Sequence, residues 1–198
     1  MNRLKLTITA LFAAIISVSA VAPAMAKLYY NPDTNQWEER AVSAPGGHGK
    51  YSSIPRETVP YETKFKPGTI VVETEERRLY FVLPGGQAVR YGIGVGRDGF
   101  RWSGQHAITR KAEWPGWTPP AEMRKRVPDL PAYMPGGPKN PLGARAMYIG
   151  STLYRLHGTS EPWTIGQAVS SGCIRLTNED IIDLYERTKV GALVVVHQ

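Results

Sequence analysis

The architecture is set by residues 69–95, which read TIVVETEERRLYFVLPGGQAVRYGIGV. Two runs of β-branched, aromatic and other apolar residues, at 69–73 and 78–83, predict two strands. The turn sequence at 84–86, Pro-Gly-Gly, leads into a third such run at 87–95. Because strands this close along the chain usually pair with their neighbours, the segment predicts an antiparallel meander.

Outside this segment, further apolar runs extend the predicted sheet. We expect additional strands at 105–112, 147–150, 153–157 and 192–196, the last of them central in the sheet. The capping sequence at 177–180, Thr-Asn-Glu-Asp, predicts a helix, since Ile181, Leu184 and Tyr185 follow it at helical spacing. The sequence therefore predicts a mainly β fold with one or two short helices.

A long Pro-rich loop at 113–145 interrupts these elements and holds eight of the 16 prolines. A connection of this length without evident secondary structure is uncommon unless it forms a lid or a binding loop. We therefore expect it to border the functional cleft. The alternative is a surface loop held in place by Trp114 and Trp117.

The composition fits a packed, turn-rich domain. Hydrophobic residues make up 42% of the chain and charged residues 21%, which excludes a disordered protein. The 20 glycines and 16 prolines favour a β-rich fold. The single Cys excludes an intrachain disulfide and Cys-rich zinc sites.

The first 26 residues predict a secretory signal. Arg3 and Lys5 precede an apolar run at 6–21, and Ala-Met-Ala at 24–26 fits a cleavage site. The alternative is a membrane anchor, but the run is short and no basic cluster follows it. The chain then divides into a signal peptide at 1–26, a polar N-terminal arm or linker at 27–65 and a domain at 66–198.

The predicted location and charge restrict the partners. We expect secretion across the inner membrane into the periplasm, with no transmembrane segment left after cleavage. Loss of Arg3 and Lys5 lowers the formal net charge from +7 to +5. A basic exported protein favours anionic wall polymer or lipid over nucleic acid.

One thiol and one imidazole are the candidate reactive groups. Cys173 needs a neighbouring imidazole or cation to ionise near neutral pH. His157 would supply it if the two residues lay on adjacent strands. The amides of Gly172 and Cys173 would then face an oxyanion, and Arg175 would bind a substrate carboxylate or support the turn. Taken alone, Cys173 and His157 are each better explained as packed residues than as reactive ones. Taken together, they favour a nucleophile and its general base.

A family resemblance rests on two motifs. His-Gly-Thr at 157–159, followed by Ser-Ser-Gly-Cys-Ile-Arg-Leu at 170–176, resembles the L,D-transpeptidase catalytic domain of the YkuD or ErfK/YbiS/YcfS/YnhG type. The resemblance extends from about Lys66 to Val196 and implies a β-sandwich or mixed sheet. Ser171 stands where many members have His.

The resemblance implies an acyl transfer on peptidoglycan. Cys173 would attack the peptide bond after the L-centre of diaminopimelate in a tetrapeptide stem, with His157 as general base. D-Ala would leave, and an amine would resolve the thioester. Gly172 and Ser171 would provide the oxyanion site. The implied substrate-binding residues are Arg175, Ser170, Gly158 and Thr159. No metal or organic cofactor is implied, the protein would be a monomer, and carbapenems would acylate Cys173.

Three alternatives remain open from the sequence. The acceptor amine belongs either to a second stem, giving a 3-3 cross-link, or to an outer-membrane protein or lipoprotein. Water as acceptor would make the protein an L,D-carboxypeptidase. A packed, unreactive Cys173 would instead indicate a non-catalytic peptidoglycan-binding module.

Overall fold

The computed structural model describes residues 54–198 in full, together with two N-terminal strands. These strands, β1 at Met25–Asn31 and β2 at Gln36–Val42, pair antiparallel. Nearly all of the predicted signal peptide at 1–26 lies outside the described residues. None of the described helices is long and apolar enough to cross a membrane.

The sequence predicted no strand between residues 27 and 65, and here the structure differs. Besides β1 and β2, this segment contains β3 at Glu57–Pro60, which pairs antiparallel with the strand at Gln87–Gly92. Glu57 lies opposite Arg90 and forms an ion pair with it. Because β3 is a short, exposed edge strand, it has no apolar periodicity, and so the sequence pattern missed it.

The remaining elements alternate short strands with two helices. In chain order they are β4 (Ile70–Glu73), β5 (Arg78–Leu83), β6 (Gln87–Gly92), β7 (Val95–Gly96), β8 (Gly104–Glu113), α1 (Ala121–Arg126), β9 (Arg145–Ile149), β10 (Arg155–His157), a 3₁₀ helix (Pro162–Thr164), β11 (Ala168–Ser170), β12 (Ile174–Arg175), α2 (Asn178–Arg187) and β13 (Leu193–His197).

Nine strands form one mixed sheet in the order β12-β10-β9-β8-β13-β4-β5-β6-β3. The predicted meander β4-β5-β6 is antiparallel, and β13 takes the predicted central place. Two neighbouring pairs are parallel, β13 with β4 and β10 with β12. A separate parallel pair, β7 with β11, lies next to β12. The predicted mainly β, mixed-sheet fold is confirmed.

Helix α2 covers one face of this sheet and completes the core. The Thr177 hydroxyl accepts a hydrogen bond of 3.1 Å from the Asp180 amide, which is the predicted N-cap. Ile181 and Leu184 are fully buried. They pack in one cluster with apolar residues from nine strands, among them Ile70, Leu79, Met147, Leu156, Ile174 and Val194.

The Pro-rich loop at 113–145 forms a small core of its own. Its buried side chains are Trp117, Met123, Val127, Leu130 and Leu142. The loop contains the short helix α1 and a backbone bridge between Trp117 and Met134. Asn140 is buried, and its side-chain amide donates to the carbonyls of Met134 and Pro135. The loop is therefore an ordered unit that can present a defined wall to the sheet.

Candidate active site

The parallel pairing of β10 with β12 brings the two motifs together. Leu156 lies opposite Ile174, and His157 lies opposite Arg175. Leu156 and Ile174 point into the core. Because side chains alternate along a strand, His157 and Arg175 point to the other face, and so does Cys173, two residues before Arg175.

A cleft of about 320 Å³ lies on this face. His157, Cys173 and Arg175 line it together, as the sequence predicted for the thiol and the imidazole. The opposite wall comes from the Pro-rich loop and includes Trp117, Pro120, Met123, Pro141 and Leu142. The prediction that the loop borders the cleft is therefore confirmed, and the cleft places apolar side chains beside the polar motif residues.

His157 is held as a neutral base. Its side chain is buried, and Nδ1 lies 2.5 Å from the Gly158 carbonyl oxygen. A carbonyl only accepts, so Nδ1 carries the proton and Nε2 keeps a lone pair. Burial, reinforced by the positive charge of Arg175, lowers the pKa of His157 from 6.5 to about 3. The imidazole is therefore uncharged at neutral pH.

Cys173 is partly exposed at the floor of the cleft. Its thiol makes one described polar contact, at 3.9 Å to the Leu153 carbonyl oxygen. Within residues 54–198, the thiol and His157 form no direct hydrogen bond. Catalytic hydrogen bonds are often long in a free enzyme and tighten when substrate binds.

Ser170 fixes the turn that carries Cys173. Its hydroxyl donates to the Cys173 carbonyl at 2.6 Å and accepts from the Gly172 amide at 3.2 Å. The Gly172 amide, one of the two predicted oxyanion donors, is therefore engaged within the turn. The Cys173 amide makes no hydrogen bond to any described residue, so it remains available as an oxyanion donor. Ser171 lines the cleft beside it.

Gly172 is required for both its conformation and its size. Its φ is +102°, in the region that favours glycine. A Cβ there would lie 2.4 Å from Cε1 of Tyr154. Any larger residue would therefore move the Cys173 turn or the Tyr154 ring.

Trp102 supports the same turn, a role that the sequence pattern did not predict. Its indole Nε1 donates to the Gly172 carbonyl at 2.8 Å, and its ring stacks on Tyr154 at 4.6 Å. Seventy residues separate Trp102 from Gly172. No local pattern marks this pairing, so only the fold reveals it.

Arg175 is paired with an acidic residue that the sequence pattern also did not predict. Its Nη1 lies 3.3 Å from Oε2 of Glu161, and the two side chains are only 7% and 5% exposed. Gly94 and Arg175 also exchange two backbone hydrogen bonds of 2.9 Å. This environment favours the second of the two predicted roles, support of the turn, while Arg175 still lines the cleft.

Gly158 and Thr159 lie beside the cleft rather than in its described wall. The Thr159 hydroxyl accepts from the Glu161 amide at 2.9 Å and shapes the turn after β10. A Cβ at Gly158 would lie 2.3 Å from Oδ1 of Asn178. That oxygen accepts from the Ala144 amide at 2.9 Å, which ties α2 to the start of β9.

Comparison with known proteins identifies this arrangement. Residues 67–196 match the family described as YkuD, L,D-transpeptidase catalytic domain. The chain belongs to this family. The resemblance seen in the two motifs is thereby confirmed.

Two individual proteins illustrate the similarity, one by its name and one by its structure. The probable L,D-transpeptidase ErfK/SrfK of Escherichia coli K12 is 41% identical over 75% of this chain. The chain spans about half the length of that relative (49%). A Brucella melitensis crystal structure is 44% identical with a TM-score of 0.51, and covers 75% of this chain and 99% of its own. That protein is named as a probable carnitine operon oxidoreductase.

The fold is also shared with a distant solved structure. L,D-transpeptidase 3 from Mycobacterium tuberculosis, in complex with a faropenem-derived adduct, has a TM-score of 0.52 at 18% identity. The alignment covers 66% of this chain and 60% of that one.

Proposed function

We propose that this protein is an exported L,D-transpeptidase that forms a Cys173 thioester with a peptidoglycan stem and transfers it to an amine. The observation that carries the proposal is the β10–β12 register, which puts a neutral imidazole and the chain's single thiol in one cleft. The names of the relatives support the reaction class. The signal-like segment at 1–26 supports export.

The first half-reaction forms the thioester. The Cys173 sulfur attacks the carbonyl carbon at the L-centre of diaminopimelate while its proton passes to Nε2 of His157. The carbonyl oxygen becomes an oxyanion, and the Cys173 amide stabilises it. The C–N bond then breaks, and the D-Ala amine leaves with the proton from His157.

The second half-reaction releases the product. An acceptor amine attacks the thioester carbonyl, passes its proton to Nε2 of His157 and forms the new amide bond. The C–S bond breaks, and the thiolate of Cys173 takes the proton back. The low pKa of His157 keeps its imidazole neutral, so that Nε2 has a lone pair at the start of each attack.

The apolar wall of the Pro-rich loop favours an amine over water as acceptor. Trp117, Met123 and Leu142 face the motif residues across the cleft. A stem peptide filling this space would exclude water from the thioester and so reduce hydrolysis. The excess of positive charge also suits stem peptides, which carry several carboxylates.

Intact-protein mass spectrometry tests the first half-reaction. We expect the wild type to gain one carbapenem mass and the Cys173→Ala and Cys173→Ser variants to gain none. Because Cys173 is the only cysteine, a thiol adduct has one possible position. No adduct on the wild type would contradict the proposal and favour a packed thiol.

Product mass tests the second half-reaction. With a tetrapeptide stem as donor and a tripeptide stem as acceptor, we expect a cross-linked product that lacks one D-Ala. A trimmed tripeptide as the sole product would assign the protein to L,D-carboxypeptidases instead. The Cys173→Ala variant should form neither product.

A further inference from the structure

A row of side chains runs across the sheet from the nucleophile. Arg110 on β8 lies opposite Tyr148 on β9, and Tyr148 lies opposite Arg155 on β10. Continuing the β10–β12 register by one residue places Cys173 beside Arg155. Residues opposite each other in a sheet share a face, so all four lie on the cleft side.

Both arginines contact the same aromatic ring. The guanidinium carbon of Arg110 lies 3.6 Å from the centre of the Tyr148 ring, and that of Arg155 lies 5.3 Å away. At these distances each guanidinium group makes a cation–π contact with the ring, and the contact holds its planar set of hydrogen-bond donors in place. Arg155 lines the cleft, whereas Arg110 and Tyr148 lie just beyond its described wall.

These two positive charges lack a carboxylate partner in the part of the chain that the structure describes. Arg155 donates to the Leu153 carbonyl at 3.2 Å, and its Nε is buried without an acceptor. By contrast, Arg145 on the opposite face of β9 pairs with Glu113 at 3.2 Å. Two guanidinium groups that contact one ring, without a counter-charge in the described chain, form a site that favours an anion.

We propose that Arg110 and Arg155 bind the carboxylate of the acceptor stem peptide. The inference rests on the proposed function, in which the acyl donor occupies the cleft at Cys173. Arg155 lies on the strand next to Cys173 and lines the cleft, so a carboxylate held there is close to the thioester, and Arg110 adds a second positive charge from the strand beyond Tyr148. The side-chain amine of diaminopimelate shares its carbon with a carboxylate, so binding that carboxylate would direct the amine toward Cys173. A protein lysine has no such carboxylate, and the site therefore selects a second stem.

The experiment compares two acceptors that differ at this carboxylate. Both acceptors are tripeptide stems. In one, the carboxylate next to the side-chain amine is free, and in the other it is amidated. The rate of transfer from a tetrapeptide donor is measured by mass spectrometry at increasing concentrations of each acceptor. For the wild type, we expect amidation to raise the acceptor KM about tenfold, the effect of about one charge-assisted hydrogen bond. Arg110→Ala should raise the KM for the free acceptor by a smaller factor and narrow the difference between the two acceptors, because Arg155 remains.

Two further variants make the result specific. Arg110→Lys keeps the charge but not the planar pair of donors, so its KM should lie between those of the wild type and Arg110→Ala. Lys189→Ala removes one charge from the exposed turn after α2 and should match the wild type.

If the wild type has the same KM for both acceptors, that result alone overturns the proposed carboxylate site. Full discrimination retained by Arg110→Ala would overturn the role of this residue. If the wild type gained no carbapenem adduct, the proposed function itself would fail, which is a separate measurement from the acceptor KM.

Discussion

Removing the charge of Glu161 should destabilise the fold strongly, because it removes a buried carboxylate that lies against the buried guanidinium of Arg175. The two side chains are 5% and 7% exposed, and their charged atoms lie 3.3 Å apart. At an effective dielectric constant of about 20, two unit charges at that distance attract by about 5 kcal/mol. Loss of one member of a buried pair costs about 3–5 kcal/mol. We therefore expect Glu161→Gln to lower the free energy of unfolding by about 3 kcal/mol or more.

Urea unfolding monitored by circular dichroism measures this loss. The double variant Glu161→Leu with Arg175→Met removes both charges, so it should recover most of the stability that the single variant loses. The exposed pair Asp98 and Arg101 is the matched control, and Asp98→Asn should change the stability by less than about 0.5 kcal/mol. A single Glu161→Gln variant within about 1 kcal/mol of the wild type would refute the reasoning.

Three further changes test the site. The pKa of His157 is about 3 in the folded protein and 6.5 in the free group, so the unfolded chain binds the proton first as the pH falls, and the free energy of unfolding should decrease by up to about 1.4 kcal/mol per pH unit between pH 6.5 and about pH 3. If urea titrations give His157→Gln the same dependence of stability on pH as the wild type, this residue is not the cause. Gly172→Ala forces a Cβ toward Tyr154 at a φ of +102°, so carbapenem acylation should slow at least about a hundredfold, and a rate near that of the wild type would show that the turn adapts. Trp102→Phe keeps the ring but removes the hydrogen bond to the Gly172 carbonyl, and stopped-flow acylation should slow about tenfold with an unchanged circular dichroism spectrum; an unchanged rate would mean that stacking alone holds the turn.

The sequence by itself determined the local elements and the two reactive groups. The meander at 69–95, the N-cap at Thr177 and the closing strand depend on residues close together along the chain, so their periodicity and turn chemistry reveal them. His157 and Cys173 were predicted as a pair because each lies in a distinctive motif. The edge strand β3 was missed because backbone pairing, rather than apolar spacing, holds it in the sheet.

Only the tertiary structure decided what surrounds those groups. The parallel β10–β12 register, the Trp102 bond to Gly172 and the burial of Glu161 against Arg175 each join residues that are separated along the chain. The alignment of Arg110 with Cys173 depends on the order of four strands. Such contacts carry no periodic signal, because they arise from the way the sheet brings distant segments together, and that arrangement sets the pKa of His157 and the shape of the cleft.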